Sequence, residues 1–212
     1  MTDNCKEILQ YYSGNHYKFI NDFLLMDFED EFKPKYKYYD EPFCQEKIQR
    51  IDDCFQTDSV AHINQDDTMF LYRGVKIRVP LQVGESFLLK NYTSTSTNLG
   101  VARRFTSDSK NADACCLYRL HLSRGIPYID MRSFSKVKAE EELLLPRNLI
   151  MTYQGDSTIR DEKTNQNVVV NDFVLTRLNE ASMDMSSSRS RSDKISGSGS
   201  TRSKNNTRKK RR

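Results

Sequence analysis

The sequence predicts an α+β domain whose helices come first and whose strands follow. Three observations predict it. Up to Phe55 the apolar residues recur three and four apart; from Met69 onward they fall in short aromatic and aliphatic runs; and the two textures do not alternate. Alternation would imply parallel βαβ units, whereas segregation implies helices packed beside a sheet.

Ile8, Tyr11 and Tyr12 open the helical stripe, and Tyr17, Phe19, Ile20, Phe23 and Leu24 continue it. Ser13-Gly14 interrupts the pattern, and either Ser13 or Asn15 suits the cap of the second helix. The charged stretch from Asp27 to Tyr39 contains Pro34, which is expected to break helix. Helical spacing resumes from Phe43 to Phe55 through Ile48 and Ile51. After Asp66-Asp67, Met69-Phe70-Leu71-Tyr72 reads as a buried strand. Further strands are expected at Ser86–Leu89, Tyr92–Ser96, Ala114–Leu122, Leu143–Tyr153 and Val168–Leu178, with one short helix over Leu99–Phe105. Gly155-Asp156 and the segment from Asp161 to Asn167 are turn-rich and are expected to join the last two strands as a hairpin.

A chain of 212 residues suffices for one well-buried domain. No run approaches the roughly 18 to 20 apolar residues of a membrane span. Met1 to Leu9 is polar and charged, unlike a secretory signal peptide, so an intracellular protein is expected, with secretion by a dedicated apparatus as the alternative; a monomer is expected. The five cysteines, Cys5, Cys44, Cys54, Cys115 and Cys116, form an odd set without C-x-x-C spacing. That argues against a disulfide framework or a zinc site and fits a reducing compartment. His16, His62 and His121 are scattered, and no metal site is expected.

The net charge of +4 is unevenly distributed. Residues 183–212 hold ten Lys and Arg against Asp184 and Asp193, a charge of +8, which leaves −4 on residues 1–182. The boundary of the domain is therefore drawn at 182. The tail alternates Ser and Arg, contains Gly197-Ser198-Gly199-Ser200 and ends in Lys209-Lys210-Arg211-Arg212. It holds too little apolar surface to offset its ordering entropy and is expected to be disordered. Such a tail suits attraction to nucleic acid, an import receptor with nuclear entry, or simple solubilisation.

Three strings carry chemistry. Leu71-Tyr72-Arg73-Gly74 ends a strand in an arginine, whose planar fork binds phosphate oxygens bidentately, and a glycine that permits a bend or close approach to a ligand. By itself this string is better explained by a strand-end arginine in a surface ion pair. Tyr92-Thr93-Ser94-Thr95-Ser96 is a hydroxyl-rich strand in which Ser94 and Ser96 share a face. Such strands are usually only solvated. Glu140-Glu141-Glu142 runs into Leu143-Leu144-Leu145-Pro146, so the leucines draw the last glutamate inward. In an extended conformation Glu140 and Glu142 share a face, and two nearby carboxylates push one pKa up. A charged loop leading into a strand explains the same letters. Together, the arginine, hydroxyls and carboxylates suit holding a dinucleotide by its pyrophosphate while acid groups attend a glycosidic bond.

In order and spacing the strings resemble the Arg-Ser-Glu class of mono-ADP-ribosyltransferases, which includes bacterial toxins and animal arginine-specific enzymes. The resemblance runs from about Ile8 to Leu178. It extends to Tyr12-Ser13-Gly14 with Tyr17, Ile20-Asn21 and Leu24, and to the short helix of Ala102 to Phe105. It implies two small, mainly antiparallel sheets around an NAD cleft, with the N-terminal helices beside them. It implies pentosyl transfer from NAD to an arginine of an acceptor protein, with release of nicotinamide and no metal.

By the same resemblance Arg73 binds the pyrophosphate, assisted by Gly74. Ser94, first of the Ser94-Thr95-Ser96 unit, supports the catalytic glutamate and the NAD ribose. Glu142 holds the nicotinamide ribose and stabilises the oxocarbenium ion, and Glu140 orients or deprotonates the acceptor guanidinium. Ser133 to Lys138 forms the acceptor loop, with Phe134 either its exposed aromatic or an anchor packed on the sheet. Phe105 either lines the nicotinamide pocket or packs in the core, the second being the commoner job for such a residue. Two other functions compete: an NAD glycohydrolase, in which water replaces the acceptor, and a silent module that binds nucleic acid through its tail. The animal surface enzymes carry a signal peptide and paired cysteines, neither of which is legible here.

Overall fold

The computed structural model describes residues 2–57, 60–62, 69–76, 80–106, 117–134 and 141–178. Glu140, the loop after Phe134, Cys115, Cys116 and the basic tail lie outside these residues.

Helices form first, as the spacing predicts. α1 (Asp3–Tyr11) is capped by the Thr2 hydroxyl and buries Cys5, Ile8 and Leu9. α2 (Tyr17–Leu25) buries Phe19 and Ile20. Between them a single π-helical turn spans Tyr12–His16, and non-helical Gly14 marks the kink. Ser13 does not cap α2. Its hydroxyl lies instead near the carbonyls of Gln10 (3.1 Å) and Phe134 (3.0 Å).

Pro34 does not break the next segment. Phe28–Phe32 is a second π-helical turn, and α3 (Lys33–Lys35) continues it with the proline in its first turn, where no N–H is required. Phe32 is fully buried there. α4 (Glu41–Cys54) starts at the Asp40 cap and buries Cys44, Ile48, Ile51 and Cys54.

Cys5 and Cys54 are joined as a disulfide that ties α1 to α4 across 49 residues. This overturns the expectation drawn from the odd count, and with it the support for a reducing compartment. Cysteine number and spacing do not reveal pairing, which two packed helices create only once they meet.

The strands are β1 (Ala61–His62), β2 (Met69–Gly74), β3 (Ser86–Leu89), β4 (Thr93–Ser96), β5 (Leu117–Leu122), β6 (Pro127–Asp130), β7 (Glu142–Leu145), β8 (Leu149–Asp161) and β9 (Gln166–Arg177). α5 (Leu99–Arg103) lies between β4 and β5. Strand order is β1-β6-β7-β4-β2-β5-β9-β8-β3, antiparallel except for β5 beside β9. The two expected sheets correspond to the halves of this order, and they run together through one register pair, Tyr72 with Ser96.

Leu143–Tyr153 is not one strand: β7 and β8 separate at Pro146, which has no N–H, and at Asn148, whose φ is 63°. Gly155 is not a turn but a bulge inside β8, and the hairpin closes farther on, at residues 162–165.

The helices pack on the half of the sheet that contains β4, β6 and β7. Their core joins Ile8, Tyr12, Ile20, Phe32 and Ile51 to Tyr92, Ile129 and Leu144. A second core, with Leu71, Leu120, Phe173 and Leu175, also takes Leu143 and Leu145. β7 therefore feeds both cores by strict alternation.

Candidate active site

That alternation decides where Glu142 points. In the β4–β7 ladder Ser94 stands opposite Leu144 and Ser96 opposite Glu142. Opposed residues of an antiparallel pair share a face. Ser94, Ser96 and Glu142 thus lie on the face of Leu144, towards the helices, where a cleft of about 390 Å³ opens. Thr95 borders the same cleft, but its buried hydroxyl donates to the Leu143 carbonyl at 2.8 Å.

Arg73 comes from β2 on the adjoining half. Its Nη1 donates to the Ser94 carbonyl at 2.6 Å, linking the arginine string to the hydroxyl string. Burial lowers the guanidinium pKa, while Tyr12, Tyr118 and the Glu142 carboxylate act in the opposite direction. A guanidinium remains charged throughout this range. Arg73 therefore presents a poorly solvated cation in the cleft, which favours an anionic ligand.

Gly74 is needed for packing. A Cβ there would stand 2.1 Å from the Ala102 carbonyl oxygen and 2.8 Å from the Thr106 nitrogen. A close approach at this glycine is made by the end of α5. It brings Phe105 to the cleft, 51% exposed, instead of into the core.

The helical side supplies Tyr12, Tyr17 and Asn21. The buried Tyr12 hydroxyl accepts from Asn21 Nδ2 at 3.1 Å, and its ring meets Tyr92 edge to face at 5.8 Å. Burial pushes the Tyr12 phenol up; the Asn21 hydrogen bond opposes this and the Glu142 carboxylate reinforces it. Tyr92 in turn donates to Asp52 Oδ1 at 2.7 Å, and Arg147 clamps the same carboxylate through Nε and Nη2, at 2.9 and 2.6 Å from Oδ2. This network pins the start of the hydroxyl strand to α4.

A half-buried guanidinium, a hydroxyl pair and an inward carboxylate thus line one cleft, rimmed by half-exposed Tyr17 and Phe105. Cation and hydroxyls fit a pyrophosphate and ribose, the rings fit planar bases, and the carboxylate fits a developing sugar cation. Residues 1–177 match the ADP-ribosyltransferase exoenzyme family. The chain belongs to that family.

Solved ADP-ribosyltransferase structures share the fold. Exoenzyme S from Pseudomonas aeruginosa, in complex with human 14-3-3 protein beta and bound to carba-NAD, superposes with a TM-score of 0.55 at 20% identity, over 85% of this chain and 76% of its own. Plx2a, an ADP-ribosyltransferase toxin from Paenibacillus larvae, gives 0.55 at 16%, over 83% and 87%. Vis, the Vibrio splendidus toxin, in complex with agmatine gives 0.58 at 18%, over 84% and 77%. No curated protein sequence matches the chain significantly.

In this ADP-ribosyltransferase Arg73, Gly74, Ser94, Thr95, Ser96, Phe105 and Glu142 are brought together at one cleft. NAD is its co-substrate. Among the described residues no group of three or more His, Cys, Asp or Glu is placed to hold a metal ion, and no helix is long and apolar enough to cross a membrane.

Glu140 lies outside the described residues. The face it is expected to share with Glu142 lies outside them too; Glu141 has φ 47°, and β7 begins at Glu142. Phe134 is half-buried and packs against the core beneath the helices. In the sequence Tyr12 and Tyr17 read as members of the helical stripe and, with Asn21, of the N-terminal signature, and Tyr92 as the first residue of its strand; none of them stands out there as a site residue. The position of Tyr92 directly before the hydroxyl run is the local signal that places it at the cleft.

Proposed function

We propose that the chain transfers ADP-ribose from NAD to an arginine side chain of an acceptor protein. The observation that carries this reading is Glu142 opening β7 opposite Ser96, in the cleft that holds Arg73, with a second glutamate two residues upstream. Arg73 grips the pyrophosphate, and the ring of Phe105 covers the nicotinamide. The glycosidic bond breaks with its electron pair leaving on nicotinamide, and the Glu142 carboxylate stabilises the ribosyl oxocarbenium ion. A guanidine nitrogen of the acceptor then attacks C1′ and passes its proton to Glu140. Vis, which shares this fold, is described in complex with agmatine, a small guanidine.

The test is nicotinamide release from labelled NAD, with and without agmatine, for the wild type and Glu142→Gln. Arginine transfer requires release that rises with agmatine and falls at least about 100-fold in the variant. Release indifferent to agmatine identifies a glycohydrolase. No release from the folded wild type with any acceptor would leave binding through the basic tail as the function to pursue.

A further inference from the structure

Asn98 follows the hydroxyl strand by two residues and opens α5, a position where Asn is a favoured cap. Its Oδ1 accepts from the backbone N–H groups of Gly100 (3.0 Å) and Val101 (3.3 Å). Its own N–H donates to Ser96 Oγ at 3.1 Å. Because two N–H donors identify the oxygen end of the amide, Nδ2 is the end that faces Glu141, and it donates to Oε1 at 3.3 Å. Thr97 Oγ1 donates to the other Glu141 oxygen at 3.4 Å.

Glu141 needs such a hold. Its φ of 47° lies in the left-handed region, which a side chain with a Cβ disfavours. The turn it makes sends the chain into β7 with Glu142 opposite Ser96. Asn98 thus contacts the residue before Glu142 and the residue across from it, from a single side chain and its own N–H.

We propose that Asn98 is a positioning residue for the transfer reaction, holding the Glu142 carboxylate at its place in the cleft by clamping Glu141 and Ser96. This rests on the reading of Glu142 as the carboxylate at the reacting ribose. Without the Nδ2 contact the left-handed turn relaxes and Glu142 shifts. A displacement of about 1 Å at a reacting group costs about 100-fold in rate. The loss falls on kcat, because Arg73 and the aromatic rim continue to hold NAD.

The experiment uses the full chain, with nicotinamide release and thermal melting measured for Asn98→Asp, Asn98→Ser, Glu141→Gln and the double variant Asn98→Asp/Glu141→Gln. Asp and Ser cap helices about as well as Asn, so the melting temperature stays at the wild-type value. Asp has no donor in place of Nδ2 and the Ser hydroxyl is one bond shorter, so both single Asn98 variants lose the Glu141 contact and are expected to lower kcat about 10- to 100-fold with KM for NAD unchanged. Glu141→Gln still accepts from Asn98 and stays within about twofold of wild type. In the double variant the new amide donates to the new carboxylate, and kcat recovers. Wild-type kcat in Asn98→Ser, or a loss in Asn98→Asp that the double variant does not restore, would overturn the proposal. Glu142→Gln is the separate control. Its collapse beside unaffected Asn98 variants defeats the positioning role alone, and its retention of full activity defeats the carboxylate assignment and the proposal with it.

Discussion

Ser96 and Glu142 stand directly opposite each other across β4 and β7. A backbone ladder therefore sets the face from which the carboxylate projects, and the turn at Glu141 sets where along that face it starts. The ladder cannot slip, because Leu143, Leu144 and Leu145 are each buried, alternately in two cores. A shift of one residue would carry Glu142 to the face of the second core and exchange its leucines between the two cores.

Arg73 reaches the Ser94 carbonyl with one arm of its fork, from within the cleft that would hold the pyrophosphate. Lysine is a point charge and cannot serve both. Arg73→Lys is expected to raise KM for NAD about tenfold or more while the fold persists. Steady-state kinetics with a melting curve checks this, and an unchanged KM would remove Arg73 from the binding site.

Gly74 touches the backbone at the end of α5, which cannot yield as a flexible side chain would. Gly74→Ala is expected to destabilise the protein by about 3 kcal/mol and to displace Phe105 from the cleft. Urea denaturation measures the first effect. A stability loss below about 0.5 kcal/mol would show that α5 moves aside freely.

Asp22 lies on α2, where Lys35 Nζ is 2.6 Å and the Tyr36 hydroxyl 2.5 Å from its Oδ2. Burial by itself would raise the carboxyl, but these two donors outweigh it and hold the pKa below its ordinary 3.8. A lowered native pKa means that the unfolded chain binds protons more readily. The stabilisation is therefore complete above the unfolded value and is lost as pH falls through the native one. Melting temperatures from pH 6 down to about pH 2 should fall more steeply for the wild type than for Asp22→Asn. Parallel curves would assign the acid sensitivity to other carboxyls.

The Cys5–Cys54 bond closes a 49-residue separation and restrains the unfolded chain. Its reduction, or Cys5→Ser, is expected to cost about 2–4 kcal/mol. Guanidinium titration with and without reductant checks this. The buried Cys44 thiol, pushed up to about 11 by burial, is not expected to exchange with it.

Much of the fold was legible because its signals are local. Apolar spacing marks α1, α2 and α4; short apolar runs mark β2, β3 and β5; and Leu99–Phe105 anticipates α5 to within two residues. The two-residue β1 and four-residue β6 were missed, since strands so short carry almost no periodicity. The π-helical turn at Phe28–Phe32 was missed because acidic residues mask its buried Phe32.

The candidate site divides in the same way. Sequence by itself determined which groups are available and their order: an arginine closing a strand, alternating hydroxyls, and glutamates leading into three leucines. It also determined that Ser94 and Ser96 share a face, because alternation is a property of one strand. Only the tertiary structure decided that Ser96 meets Glu142, that Gly74 yields to α5, that Cys5 finds Cys54, and that Asn98 reaches Glu141. Each of these joins residues 28 to 49 positions apart in the chain. The energy that brings such residues together comes from burying the two cores as a whole, and no local pattern records the outcome.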